Sequence, residues 1–224
     1  MTNEFGKKAQ AHVRYKLADG TIVPGTTTVT GILDKPALVV WANRLGLEGI
    51  DSSKYRDSAA VVGTLAHYLA ECDLRGEKPD VSEYSPADVE KAENSLIKFW
   101  EYRDEHHLEP ILVEGQLVSQ AHRYGGTVDL YGKRDGILSL IDLKTGKPNP
   151  RTGTGIYPEM MLQVTAYHQL LIENGHPVEQ VFILRIGRDE TEGFEERKVD
   201  RLDVRWEIFK HCLGIYYLQK KLGK

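Results

Sequence analysis

Asp129 and Asp142 are the side chains of this sequence best spaced to do chemistry, with Lys144 two positions beyond the second acid. The stretches from Gly126 to Arg134 and from Ile137 to Lys144 both read as strands, and only Asp135-Gly136 separates them. Asp-Gly between two such runs is the strongest short hairpin signal, because both central residues must accept positive φ. A two-residue turn pairs Arg134 with Ile137. Counting back sets Asp129 opposite Asp142 and Thr127 opposite Lys144. Directly opposed Cβ atoms lie about 4.5–5.5 Å apart, and two like charges there are destabilising unless a cation sits between them. Side chains alternate along a strand, so Asp142 and Lys144 share one face while Val128, Leu130, Ile141 and Leu143 form the apolar one. A bulge would shift this register and leave a surface Asp–Lys ion pair worth little.

Two acids and a lysine around a hard cation suit metal-dependent phosphodiester cleavage. Mg²⁺ prefers one or two carboxylates, retained waters and the substrate phosphate, and Mn²⁺ accepts a similar oxygen-rich set. Asp129 and Asp142 would supply the carboxylates, and the backbone carbonyl of Leu143 a further oxygen. Lys144 would orient or help deprotonate the attacking water and stabilise charge developing on the phosphorane.

The elements that must hold these groups can be followed along the chain. Val13, Tyr15 and Leu17 alternate before Asp19-Gly20 turns the chain into Ile22-Val23, an N-terminal hairpin. Helices are expected over 35–45, over 58–74 with Val62, Leu65, Ala66 and Leu69 inward, and from Ser85 onward with Pro86 in the first turn. This third helix would turn Val89, Ala92, Leu96, Phe99 and Trp100 inward. Strands follow over 111–119 and in the hairpin, then a Gly/Pro-rich loop over 145–158. A helix over 158–174 stops on Gly175 and Pro177. A strand over 180–187, a further one over 194–200 and a helix over 203–222 complete the order. The result is an α/β core with a mixed sheet, residues 111–224, against which a hairpin and helical region, residues 1–110, packs as part of one globular unit.

Composition narrows the function. With 224 residues, 41% hydrophobic and 28% charged, the chain can bury one sizeable core. No apolar run spans a bilayer and the first residues are not a secretory or transit signal, so a cytoplasmic setting without membrane attachment is expected. Cys72 and Cys212 are too few for a disulfide framework or a four-cysteine metal site. The net charge of −4 conceals polarity. Residues 122–151 carry six bases against three aspartates, whereas 73–105 carry ten acids against five bases, so the suspected site lies in the positive segment. Zinc-peptidase spacing around His106-His107, a serine-hydrolase elbow and a phosphate-binding Gly-rich loop are all missing from the sequence. The three tryptophans read as core, with Trp41 near Arg44 also able to stack a base.

Asp129, twelve residues, then Asp142-Leu143-Lys144 resembles the PD-(D/E)XK nuclease motif, with Val128 where its proline would stand. Gln163-Val164-Thr165-Ala166-Tyr167 resembles the QxxxY signature of the RecB-like branch, and helical spacing sets Gln163 and Tyr167 on one face. Taken alone, the two would be a polar pair on a helix surface. Gly63-Thr64-Leu65-Ala66-His67 resembles that branch's GxxxH element, in which the histidine is a metal ligand; taken alone, His67 would be a core histidine. Glu114 matches a recurrent acidic position that would bind a second metal, anchor Lys144 or serve structure only. The resemblance, covering His67 to Tyr167, implies a restriction-endonuclease-like core of helix, three antiparallel strands, helix and strand. It also implies a Mg²⁺- or Mn²⁺-dependent DNA exonuclease of recombination or repair, acting on single strands or duplex ends. Here His67, Asp129, Asp142, the Leu143 carbonyl and Glu114 are metal ligands, and Gln163 and Tyr167 position substrate or support Lys144. Lys147, Arg151 and Arg123 would touch DNA phosphates. A recombination or replication protein is the partner such enzymes imply. Without four cysteines the chain departs from the iron–sulfur members and looks like a free-standing enzyme. A structure-specific or restriction-type endonuclease, and a non-catalytic DNA-binding module on the same fold, remain the other readings.

Overall fold

Asp135 and Gly136 both take positive φ, 52° and 80°, and the strands they join pair from Arg134↔Ile137 to Leu130↔Ile141 without a register shift. The computed structural model describes residues 13–149 and 152–223. The hairpin of β1 (Tyr15–Lys16) and β2 (Ile22–Val23) comes first. Four helices follow: α1 (Thr26–Thr30), α2 (Pro36–Leu47), α3 (Ser52–Arg75) and α4 (Pro86–Glu105). Then come β3 (Glu109–Ser119), β4 (Tyr124–Arg134), β5 (Ile137–Thr145), α5 (Pro158–Glu173), β6 (Gln180–Ile186), β7 (Phe194–Lys198) and α6 (Leu202–Lys221). The main sheet has the order β3-β4-β5-β6-β7, with β5–β6 parallel and the other pairs antiparallel. The α/β class, the mixed sheet and the expected element order are all present.

The sheet is the middle of three layers. Leu140, Val181 and Ile183 pack with Val164, Leu170 and Phe209 of α5 and α6. Their strand neighbours Ile141, Leu143, Phe182 and Leu184 pack on the other side with Ala70 of α3 and with Phe99 and Tyr102 of α4. β5 and β6 are therefore buried on both faces, as a central parallel pair requires. Among the described residues no helix is long and apolar enough to cross a membrane.

Several boundaries differ from the sequence reading, each for a local reason. α3 starts at Ser52 because the Asp51 carboxylate caps it, accepting from the Ser53 and Lys54 amides at 2.8 and 3.2 Å. Its first turns are mostly exposed, so apolar periodicity could not show them. Trp100 does not turn fully inward; it is 38% exposed, and Tyr102 and Ser95 are buried instead. β3 begins two residues early and runs through Pro110, which an edge strand tolerates, and the register shifts at the next residue. Val128 packs with Tyr124, Tyr131 and Leu140 rather than with Leu130, Ile141 and Leu143. Strict alternation fails there, where the β4–β5 pairing ends and the left-handed Glu114 of β3 stands opposite Asp129.

Candidate metal centre and catalytic cleft

The β4–β5 ladder ends at Leu130↔Ile141, yet β4 stays paired with β3 as far as Tyr124, and β5 with β6 as far as Thr145. Asp129 and Asp142 are the first residues beyond that last pair. The expected face-to-face ladder pair therefore stops one step short. In its place the Asp129 carboxylate accepts a hydrogen bond from the Leu143 amide at 2.8 Å.

Glu114 occupies the position of β3 opposite Asp129, between the pairs Val113↔Leu130 and Gly115↔Val128. Its φ is +48°, a left-handed conformation uncommon for a side chain of this size and costly by about 1–3 kcal/mol. His67 approaches from α3, its Nδ1 3.7 Å from Asp129 Oδ2 and 3.9 Å from Glu114 Oε1. One ligand atom from each of His67, Glu114 and Asp129 lies within 4.8 Å of the others. Gly63, one turn before His67, makes the approach possible. A Cβ there would fall 2.8 Å from Thr145 Oγ1 at the end of β5.

Asp142 is completely buried, and its Oδ1 has no hydrogen-bond donor. Lys144 Nζ lies 2.5 Å from Oδ2, a close ion pair. The same ammonium donates to the Leu143 carbonyl at 3.3 Å. Burial pushes the Asp142 carboxyl up to about 6; Lys144 opposes this and the Asp129 charge adds to it. Asp129 is raised as well, by burial first, while His67 and Lys144 counteract. Burial disfavours the charged form of Lys144, but Asp142 and Asp129 outweigh it and hold the ammonium above its ordinary value. In His67 the same contest, burial against the Asp129 and Glu114 carboxylates, also ends on the charged side.

Gln163 and Tyr167 face each other one turn apart on α5, Nε2 donating to the phenol oxygen at 2.8 Å. The Tyr167 ring lies against Gly126, where a Cβ would be 2.5 Å from its Cε1. Burial, with the charges of Asp142 and Asp129 added, holds its phenol well above the ordinary value. Lys147 sits exposed just past β5, its ammonium 5.7 Å from the Tyr55 ring centroid. Arg123 does not converge on these groups. It forms the far turn of the β3–β4 hairpin, six residues and about 20 Å along the chain from Asp129. Arg151 lies outside the described residues.

Two neighbours of the cleft were not singled out in the sequence. Tyr15 hydrogen-bonds Thr127 Oγ1 at 2.9 Å, and its ring covers Gly125. Burial raises its phenol, and the Glu114 charge contributes. Arg185, the register partner of Lys144 on β6, donates to the carbonyls of Gly146 and Glu192 at 2.8 Å each, fixing the backbone just after β5. Neither carries a local signal: Tyr15 meets Thr127 across 112 residues, and Arg185 reads as one more polar residue in a strand.

No curated protein matches this chain. In outline it is similar to a candidate exonuclease from Eubacterium rectale, with a TM-score of 0.47 and 12% identity over 67% of this chain and 64% of that one. The chain thus spans less than two thirds of that relative. It is also similar to an alkaline exonuclease (LHK-Exo) from Laribacter hongkongensis, with a TM-score of 0.39 and 14% identity over 89% and 92% of the two chains. The model of the PD-(D/E)XK nuclease superfamily matches residues 42–213, most of the chain and every group of the cleft except Tyr15. By that match this chain belongs to the PD-(D/E)XK nuclease superfamily.

Proposed function

We propose that this protein is a Mg²⁺- or Mn²⁺-dependent deoxyribonuclease that cuts as an exonuclease, on single strands or from duplex ends. One observation carries most of the reading: a fully buried Asp142 carboxylate with no donor to Oδ1 and the Lys144 ammonium at Oδ2, next to the carboxylate–histidine set of Asp129, Glu114 and His67. Buried polar groups are otherwise almost always satisfied, so a carboxylate oxygen left without a donor fits a ligand that the protein itself does not supply. The donor set is carboxylate, carbonyl and imidazole, which suits a hard divalent cation. His67, Asp129, Asp142, the Leu143 carbonyl and Glu114 would hold it. When bound, such a cation polarises a phosphoryl oxygen and lowers the pKa of water.

The chain's own groups do the rest. Lys144, kept as an ammonium by the two aspartates, stabilises the charge that builds on the phosphorane and orients the attacking water. Asp129 fixes Leu143 through its amide, so that the Leu143 carbonyl and the Lys144 side chain keep one geometry. Gln163 steers the Tyr167 hydroxyl toward the scissile strand, and Lys147 and Arg151 meet flanking phosphates. Arg123 would touch only DNA that runs beyond the cleft. A role in recombination or repair, beside a recombination or replication protein, is part of the same reading.

The test is cleavage of end-labelled single- and double-stranded DNA across a titration of Mg²⁺ and Mn²⁺. Terminal products are expected; internal products would make the enzyme an endonuclease instead. Asp142→Ala or Lys144→Ala is expected to remove cleavage by at least about 10³-fold while circular dichroism stays native. Full activity in either variant sinks the assignment.

A further inference from the structure

Helix α6 is apolar on two opposite sides. One side carries Phe209, Cys212 and Leu213 into the core below the sheet. The opposite side carries Val204, Ile208, His211, Ile215 and Leu218, continued by Leu222 just past the helix end, spaced 4, 3, 4, 3 and 4. At 3.6 residues per turn these six lie within about 40° of one line along the helix, nearly opposite Leu213. They are exposed: Ile208 43%, Ile215 48% and Leu218 62%. A helix that is apolar on both sides is normally packed on both, and this spacing is that of a helix–helix seam.

We propose that a second copy of this chain covers the seam, the two α6 helices lying antiparallel about a two-fold axis near Leu213. The spacing is self-complementary in that arrangement. Ile208 meets Leu218 of the second copy, Ile215 meets His211, and Leu222 meets Val204. No residue of the row is left without a counterpart.

Flanking charges choose the direction. Glu207 and Lys221 lie beside the seam on the same flank, near opposite ends, and Gly214 lies midway between them. Antiparallel pairing brings Glu207 of each copy to Lys221 of the other, twice by symmetry, while Gly214 lets the helices approach at the centre. Parallel pairing would set Glu207 against Cys212, which is buried in its own subunit. Glu207 now pairs with Lys210 at 2.8 Å, an exposed contact that exchanges easily. Such an isologous pair closes on itself and needs no other component.

Sedimentation equilibrium of the full chain at low ionic strength tests this. A particle of twice the chain mass is expected, and Ile215→Lys is expected to give a monomer with unchanged circular dichroism and unchanged nuclease activity per chain. Glu207→Lys or Lys221→Glu alone should each weaken the dimer by about tenfold, and the two together should restore it. A chain that stays monomeric as its concentration is raised overturns the proposal. A dimer indifferent to Ile215→Lys does so equally. Failure of the double charge reversal to restore association would rule out the antiparallel arrangement.

Discussion

At the scale of single residues, the cleft holds charge at a cost to folding. Asp142 has an ordinary carboxyl value of 3.8 that burial raises to about 6, so the folded chain binds a proton that the unfolded chain releases earlier. Folding is therefore disfavoured as the pH rises through that interval, and the full penalty is present at neutral pH. Asp142→Asn should raise thermal stability in metal-free buffer at pH 7, by at most about 3 kcal/mol since the Lys144 ion pair is lost too. The gain should vanish below about pH 4. A melting series of both proteins across that range checks it, and an advantage that persists in acid would contradict the account. Glu114 makes a second case. Its left-handed φ means that Glu114→Gly should stabilise the chain by about 1 kcal/mol while weakening cleavage, measurable as a melting shift opposite in sign to the activity change.

At the scale of elements, the sequence is legible where local rules are strong. The Asp135-Gly136 turn settled the strand register, and Ser85 and Gly175 marked helix ends in the expected places. Asp129, Asp142 and Lys144 could be grouped from that register. It could not reveal that the ladder stops just before the two acids, because β4 and β5 follow different neighbours from that point. The left-handed Glu114 and the Tyr15–Thr127 contact likewise depend on tertiary packing and leave no trace in spacing. Glu195 on β7 is another element-level device absent from the sequence reading. Burial works against its charge, but the Thr154 hydroxyl, the Gly155 amide and Arg185 outweigh it and hold the carboxyl below the ordinary glutamate range. A lowered folded value adds stability above that range, and the gain is lost as the pH falls through it. Glu195→Gln should therefore cost roughly 2–3 kcal/mol at pH 7 and much less in acid, as urea titrations at the two pH values would report. Gly63→Val should push α3 off Thr145 and weaken cleavage through His67, with a smaller effect on the melting temperature than on the rate.

For the molecule as a whole, a bound cation would add positive charge beside carboxylates whose ionised form burial disfavours. Millimolar Mg²⁺ should thus raise the melting temperature of the natural chain, and less so that of Asp142→Asn; equal shifts in both would place the cation elsewhere. The split ladder also bears on the order in which the cleft can be assembled as the chain grows. The half of β5 that carries Asp142 and Lys144 takes its backbone partners from β6, which lies beyond α5 and about 40 residues later. A growing polypeptide can close the β4–β5 turn early and still leave both side chains on a loose strand. The strand that carries Asp142 and Lys144 gains these partners only when the crossover is complete, so a chain cut short before β6 is expected not to cleave DNA, which an assay of such a truncation would check.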